Sequence, residues 1–560
     1  MKKILCIVFL AVASVAAAEE IKIDVTTQGQ PLNHYWSVGT CAGRVNEGLR
    51  TSWVEQLKIV HDECGFQYLR MHGLFDDDMC VYFEDKKGNP IYNWQYIDEV
   101  FDRMLEIGVR PFVELSFFPE LIAKENSLRQ MWYRNCVSYD PTRISKWEGL
   151  VHAFTEHVVE RYGLDEVRHW YFEVWNEPNL NFHPKAGFFD GTKSDYFNLY
   201  RLSARAVKSV DSQLRVGGPA TSNFVPDNRY EGEVYDANKS RFYGQDQINK
   251  QQWKGAWIEE FLQFCTQEQL PVDFISCHPY PTDYALDPVA GKSKDAVRYM
   301  KALSDDMAWL RKTVAASAFP KAEIHLTEWS TSPSSRDPMH DNLPPAAFIV
   351  KGVLDNLGGS NSLMYWTFTD IFEEKGGGQT PFHGGFGMIT FQGWKKPSFH
   401  AYRMLHQLGD ELLTYTAPGS VGGGSSADTT APSIAITRHS RTGLITALAY
   451  NYPDEYLQKV PSSANVKNYM QATAKQLDLT LTGLPANAVF DLETLDDTHG
   501  NAIQAFRAIG SPKAPTREQT RWMRQQSEAT LHEVIRADAN GQLRIQRELV
   551  PWTLVLIKQL

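Results

Sequence analysis

Up to about Asp410 the chain alternates between two hydrophobic patterns. Short, nearly continuous apolar runs occupy Tyr35 to Gly39, Tyr68 to His72, Arg110 to Leu115, Tyr171 to Val174, Arg215 to Gly218, Phe274 to Ser276, Glu323 to Leu326 and Ser362 to Tyr365. Between them lie stretches such as Trp53 to Cys64, Ile97 to Ile107, Trp147 to Tyr162 and Tyr196 to Val210, whose apolar residues return at helical spacing. Runs apolar on both faces predict buried parallel strands, and the stretches between them predict amphipathic helices. Strand–helix alternation implies right-handed crossovers, and eight repeats allow the sheet to close. The expectation for residues 31–410 is therefore an α/β fold, a (β/α)8 barrel.

Beyond Asp410 the pattern changes. Residues 411–433, and above all the Gly-, Ser-, Thr- and Ala-rich Thr416 to Ser433, read as a flexible loop or linker with little surface to bury. Strand-like runs then occupy Ile434 to Thr437, Leu444 to Tyr450, Leu477 to Leu481, Val489 to Leu495 and Trp552 to Ile557, which predicts an accessory antiparallel β-sandwich over residues 434–560. Ile21, Ile23 and Val25 alternate with polar residues, so residues 19–30 are expected to add a strand to that sandwich. Residues 516–536 read as a helix lying over it.

The first 18 residues have the form of a secretory signal peptide. Lys2 and Lys3 precede the apolar Ile4 to Val15, and Ala16-Ala17-Ala18 offers a small-residue cleavage site before Glu19. The apolar run is shorter than the roughly 20 residues that span a bilayer, and Cys6 comes too early to bear a lipoprotein's lipid. An exported protein, periplasmic or extracellular, is expected. Cleavage removes two of the 56 basic residues and none of the 67 acidic ones, taking the net charge from −11 to −13. Such a chain has no electrostatic attraction to nucleic acid or anionic membrane, and a neutral partner is expected. Cys41, Cys64, Cys80, Cys136, Cys265 and Cys277 remain, without Cys-x-x-Cys spacing, and read as buried free thiols or an occasional bridge with no pair assigned. No His-Glu-x-x-His occurs, and no metal or other cofactor is called for. The glycine-rich Gly376 to Gly387 lacks the Gly-Lys-Ser/Thr ending of a phosphate loop and reads as an active-site loop.

The chemistry points to two glutamates. Glu177 follows the fourth predicted strand in Tyr-Phe-Glu-Val-Trp-Asn-Glu-Pro-Asn, and Glu328 ends the seventh in Ile-His-Leu-Thr-Glu-Trp. Barrel enzymes place their chemistry at such strand ends, and two carboxylates facing across a pocket are what glycosidic cleavage requires: a proton donor, and a nucleophile or base.

The surrounding segments extend the argument. Tyr68-Leu69-Arg70-Met71-His72-Gly73, Arg110-Pro111-Phe112-Val113-Glu114, Asp273-Phe274-Ile275-Ser276-Cys277-His278, Tyr365-Trp366-Thr367-Phe368-Thr369-Asp370 with Phe372-Glu373-Glu374, and Pro381-Phe382-His383-Gly384-Gly385-Phe386-Gly387 resemble glycoside hydrolase family 39 over nearly the whole mature chain. His499-Gly500-Asn501 and Gly510-Ser511-Pro512 resemble the family's accessory region. That family contains retaining β-xylosidases and α-L-iduronidases. In the iduronidase branch basic residues follow the histidine matching His278; here Pro279 and Tyr280 stand there, and Asn179 with Phe182 is similar to the xylosidase branch. Cys277, where a small hydroxyl residue is common, and the Thr416 to Ser433 insertion depart from the family pattern.

The resemblance implies Glu328 as nucleophile and Glu177 as acid/base, their carboxyl groups on the order of 5 Å apart. At that separation an ionised Glu328 raises the proton affinity of Glu177. It implies Asn176 on the sugar 2-hydroxyl, His72, His278, Tyr280, Glu373 and Glu374 around the other hydroxyls, Trp366 and Phe182 as apolar walls, and Arg70 holding Glu328 ionised. Glu114 and Glu173 read as structural partners inside the barrel. The expected activity is an exo-acting β-xylosidase that shortens neutral xylo-oligosaccharides from their non-reducing ends. The alternatives are iduronidase-, glucosidase- or arabinosidase-like activity, or a non-catalytic carbohydrate-binding protein.

Overall fold

The structure, a computed structural model, describes residues 20–129, 135–182, 186–222, 255–280, 302–416, 432–453 and 469–560, together with 282–283 and 296–297. Eight parallel strands close a barrel: β1 (Gly39–Arg44), β2 (Tyr68–His72), β3 (Arg110–Leu115), β4 (Tyr171–Val174), β5 (Arg215–Ser222), β6 (Phe274–His278), β7 (Glu323–Trp329) and β8 (Ser362–Tyr365). A helix follows each: α1 (Thr51–Cys64), α2 (Gln95–Ile107), α3 (Ile144–Tyr162), α4 (Lys193–Val210), α5 (Ile258–Gln267), α6 (Ala302–Ala315), α7 (Pro344–Leu354) and α8 (Pro397–His406). Local signals set several ends. Gly65 and Gly108 terminate α1 and α2 at φ 77° and 102°, where a side chain would be strained. Thr192 and Asp195 form a capping box on α4, and prolines open α7 and α8.

β1 begins later than the apolar pattern predicts. Tyr35–Ser37 form a 3-10 turn, with Tyr35 donating its hydroxyl to the Val353 carbonyl at 2.8 Å and Trp36 fully buried. A short apolar run reports burial, which a turn satisfies as well as a strand.

The accessory region is two facing sheets around a core that includes Ile434, Ile436, Leu477, Leu479, Phe490 and Ile557. One sheet runs Ile21–Asp24, Lys475–Thr482, Leu543–Leu549; the other runs Gln30–Pro31, Glu411–Thr416, Ser433–Arg438, Ile445–Tyr450, Leu554–Gln559, Val489–Leu495, Leu531–Arg536. The N-terminal strand pairs in parallel, with Ile21 opposite Leu479.

Two sequence expectations need correction here. Glu411–Thr416, placed in the linker, is a paired strand, since Leu412 and Thr414 meet Thr437 and Ile436 across the ladder; residues 417–431 of that linker lie outside the described residues. The helix expected over 516–536 stops at Ser527, and Leu531–Arg536 is an edge strand. Its side chains are half-buried or exposed throughout, so no apolar face marks it in the sequence. The helix, capped by Thr516 and Gln519, reaches the barrel rather than merely lying on the sandwich. Met523 packs with Trp394 and Phe506, and the Trp394 indole donates to the Thr520 carbonyl at 3.1 Å. From α8, Arg403 donates to Glu493 of the seven-stranded sheet at 3.0 Å. The six described cysteines are free thiols. No helix among the described residues is long and apolar enough to cross a membrane.

Candidate active site

Period-two alternation stacks the barrel interior in layers. At the N-terminal end the rings of Phe112, Tyr171, Phe274 and His325 pack together, with Phe112 stacked on Tyr171 at 4.8 Å. Two residues further along these strands and β2 the layer becomes polar: Arg70, Glu114, Glu173, Ser276 and Thr327, all fully or almost fully buried. Above it lie His72 and His278 at the strand ends.

Glu328 reaches this layer through a local irregularity. The register of β7 against β8 shifts between Leu326 and Trp329. In a regular strand Thr327 and Glu328 would face opposite sides. Here Thr327 donates to Glu173 at 2.8 Å while Glu328 accepts from Arg70 at 2.8 Å, so both point inward. Glu177 is placed by a left-handed turn after β4, with Trp175 at φ 73° and Glu177 at φ 43°. Such φ values in bulky residues are costly and persist where surroundings hold them. The Glu177 N–H donates to the Ala220 carbonyl at 2.9 Å, and Asn179 and Ser222 exchange hydrogen bonds of 2.9 and 2.8 Å beside it.

Glu177, Glu328 and His278 each present an atom within 4.8 Å of the others. That separation suits direct attack by one carboxylate, since a pair that activates water needs roughly 6.5–9.5 Å between them. The same three groups could also offer ligand atoms to a cation. His278 Nδ1 lies 2.9 Å from Glu177 Oε1 and 3.6 Å from Glu328 Oε2, and Tyr280 donates its hydroxyl to Glu328 Oε2 at 3.0 Å. Arg70 gives Nη1 to Glu328, Nε to Glu173, and Nη2 to Glu114 at 2.7 Å and to Asn176 Oδ1 at 2.9 Å. His72 Nδ1 lies 2.6 Å from Glu114, and its Nε2 lies 3.5 Å from Glu328. The Trp366 ring is 4.7 Å from that of His72.

One guanidinium thus faces several buried carboxyl groups, and water that would support their charge is excluded. Burial pushes Glu177 and Glu114 up to about 7. It also raises Glu328, against the opposing pull of His278 and Arg70 and with Glu177 adding to the rise. Burial, rather than the charge of Glu328, therefore leads the shift at Glu177. His72 and His278 are pushed down by burial to about 3 and about 4, so both imidazoles are neutral at pH 7. Asn176 Nδ2 and His278 Nε2 are buried without a partner among the described residues. Unsatisfied polar atoms of this kind are what a bound polyol would satisfy.

The structure thus gathers Glu177, Glu328, Asn176, His72, His278, Tyr280, Trp366 and Arg70 into one cluster. The Glu373 carboxylate is held by Arg44 at 2.8 Å and by Arg50. Glu374 opens a 3-10 turn, largely buried, its carbonyl accepting from Arg336. Phe182 belongs to the strand Asn181–Phe182, and its side chain lies outside the described residues. Glu114 and Glu173 are inside the barrel as partners, and Glu114 does more than fill space because it fixes both Arg70 and His72. Ser222, which hydrogen-bonds Glu177, has no signal in the sequence beyond lying at the end of a strand.

Likeness to known proteins follows the same geometry. The profile of Glycosyl hydrolases family 39 matches residues 19–231 and 252–544. The chain belongs to that family. A β-xylosidase of Caldicellulosiruptor saccharolyticus is 34% identical over 527 residues, 94% of this chain and 91% of that protein. A β-xylosidase of Geobacillus stearothermophilus is 33% identical over 510 residues, 89% of this chain and 87% of that protein. Among solved structures, the family 39 enzyme of Xanthomonas axonopodis pv. citri superposes with a TM-score of 0.80 at 28% identity, covering 98% of this chain and 99% of that one.

Proposed function

We propose that this family 39 protein is a retaining, exo-acting β-xylosidase releasing D-xylose from the non-reducing ends of xylo-oligosaccharides. The observation that carries the reading is the close approach of Glu177 and Glu328 around His278. Near-complete coverage by two β-xylosidase relatives supports the sugar. So does the charge of the pocket: among the described residues Arg70 is the cation that reaches the pair, and its nitrogens are already engaged by Glu114, Glu173, Glu328 and Asn176. A uronate would lack a counter-ion there.

In the first step Glu328, held by Arg70 and Tyr280, attacks the anomeric carbon while Glu177 protonates the leaving oxygen. The C–O bond to the leaving group breaks and a glycosyl ester forms. In the second step Glu177, now a carboxylate, takes a proton from water, whose oxygen attacks the same carbon and frees Glu328. Asn176 Nδ2 donates to the sugar 2-hydroxyl, a contact that strengthens as positive charge develops on the ring. Glu177→Ala with an activated leaving group should be rescued by azide as a β-glycosyl azide; the opposite anomer would overturn the role assignment.

Export is part of the same proposal, supported by Lys2, Lys3, the apolar Ile4 to Val15 and the three alanines that follow. Protein sequencing of the mature chain should begin at Glu19. For the activity, the test is initial rates on nitrophenyl β-D-xyloside, β-D-glucoside, α-L-arabinoside and α-L-iduronide. Dominant xyloside turnover supports the reading, dominant iduronide turnover refutes the pocket argument, and silence on all four refutes an exo-glycosidase.

A further inference from the structure

A second buried ion cluster lies outside the catalytic one. Lys396, the residue that caps α8, is fully buried, with its Nζ 2.7 Å from Asp341 Oδ1 and 2.6 Å from Asp370 Oδ2. Asp341 follows β7 in the chain and Asp370 follows β8. Burial opposes a charged ammonium, but the two aspartates more than reverse that, and Lys396 keeps its proton more tightly than a free lysine.

The three side chains grip one short run of backbone, Gly384-Gly385-Phe386-Gly387. The Gly384 N–H donates to Asp341 Oδ2 at 2.6 Å, the Gly385 carbonyl accepts from Lys396 at 3.0 Å, and the Gly387 N–H donates to Asp370 Oδ1 at 2.8 Å. Each aspartate thus gives one oxygen to the ammonium and the other to the run. Glycine is required for so close a grip. A Cβ on Gly385 would lie 2.4 Å from Asp370 Oδ1, one on Gly387 would lie 2.2 Å from the Asp370 nitrogen, and Gly384 stands at φ 76°.

The single large side chain on this run, Phe386, is 2% exposed. Its ring meets those of Phe372 and Trp366 edge-on, at 5.8 and 6.3 Å. The Trp366 ring lies 4.7 Å from that of His72, whose Nε2 is 3.5 Å from the Glu328 carboxylate. A chain of contacts therefore runs from Lys396 to the nucleophile. Apolar packing of similar volume would stabilise the fold as well as a buried ion trio does, so what the trio adds is direction.

We propose that Lys396 is a positioning residue for the sugar site. With Asp341 and Asp370 it locks the glycine run so that Phe386 backs the Trp366 indole, and the placement of that indole over His72 sets how tightly the sugar ring is held. The inference rests on the β-xylosidase reading and extends it to a residue that reaches the site only through others.

The test is a double-mutant cycle on the full-length mature protein, with nitrophenyl β-xyloside as substrate and xylose as competing ligand, assayed well below the melting temperature of every variant. Lys396→Met frees the run, and Phe386→Leu removes the ring that the run carries. Each should raise KM and the xylose inhibition constant at least about tenfold with kcat held within about threefold, because an apolar wall binds ground state and transition state alike. The double variant should be no more than about twofold worse than the poorer single one, since both changes remove the same support. Losses that multiply to about a hundredfold would overturn the proposal, because Lys396 would then act by a route that bypasses Phe386. An unchanged KM in folded Lys396→Met would overturn it too, leaving the trio a matter of stability alone. Where Lys396→Met does not fold, Asp341→Asn takes its place in the cycle. That variant keeps Lys396 paired with Asp370, and it should raise KM about threefold with the same coupling to Phe386→Leu. Failure of the unaltered enzyme on the xyloside would bring down the activity reading, and the proposal with it, before any variant is compared.

Discussion

Two arginines on neighbouring strands, Arg70 within β2 and Arg44 at the end of β1, do the same job in different surroundings. Arg70 on β2 serves Glu114, Glu173 and Glu328; Arg44 on β1 serves Asp76, Asp78 and Glu373. The side chains around Arg70 are at most 6% exposed, whereas those around Arg44 grade from 0% at Asp76 to 31% at Glu373. Around Arg70 burial outweighs the ion pairs, and Glu114 and Glu328 hold their protons more tightly than free carboxylic acids. Toward the open side of Arg44, Arg44 and Arg50 together outweigh burial, and Glu373 is shifted below the usual carboxylate range. The contrast teaches that one side-chain motif stores protons or stores charge according to how much water reaches it.

Replacing each arginine by methionine should separate the two most sharply. Arg70→Met strands buried carboxylates and should cost about 3–5 kcal/mol of stability with kcat reduced at least about a thousandfold. Arg44→Met should cost about half that, because Asp78 and Glu373 can turn to water while Asp76 takes up a proton. Equal losses in chemical unfolding would erase the distinction.

Catalytic pH dependence should come next in size. Glu177 acts first as an acid, so kcat/KM should fall as pH rises through about 7. The raised Glu328 should place the acid limb above the ordinary 4.5. Glu177→Gln, assayed with an activated leaving group, should lose the alkaline limb; retention of that limb would assign it elsewhere.

Stability should report the same proton storage more gently. The folded Glu114 holds its proton up to about 7, against an ordinary value of 4.5. Its contribution is thus complete below 4.5 and is lost as pH rises through about 7. Glu114→Gln should therefore flatten the decline in melting temperature across that window, and an unchanged slope would show the proton is held by other groups. The smallest effect is expected at Glu47, which burial and then Glu373 push up to about 8. Glu47→Gln copies the neutral form and should change stability by less than about 1 kcal/mol near pH 4, where the unfolded carboxyl also holds its proton. It should become progressively more stabilising as pH rises from about 4.5 to about 8 and level off above that; a large loss at neutral pH would mean the carboxylate is ionised.

How far this arrangement could be read in advance depended on the kind of signal. Glu177 and Glu328 were legible because apolar runs placed them at strand ends and flanking motifs resembled a family. Arg70 and His72 were legible only through that resemblance; their spacing of two residues on one strand agrees with the inward face both occupy. The inward turn of both Thr327 and Glu328 was not, since alternation predicts opposite faces and the register shift in β7 is set by the neighbouring strand. Glu373 was assigned to sugar hydroxyls, but its position depends on Arg44 and Arg50, more than 320 residues earlier. The barrel's strands announced themselves by being apolar on both faces. Leu531–Arg536 could not, because an edge strand open to water carries no such mark.

The accessory sheet imposes a schedule on the chain. An interior strand of it, Leu554–Gln559, lies between Ile445–Tyr450 and Val489–Leu495 and follows both of them in the chain. One edge is formed by Gln30–Pro31, among the first residues of the described chain. Until residue 559 has emerged from the ribosome, the strands on either side have no common partner and their hydrogen-bonding groups stay open. The barrel can assemble progressively as its repeats appear. The sandwich closes only when that strand is in place, so loss of residues 554–560 should remove a strand from inside the sheet rather than trim its edge.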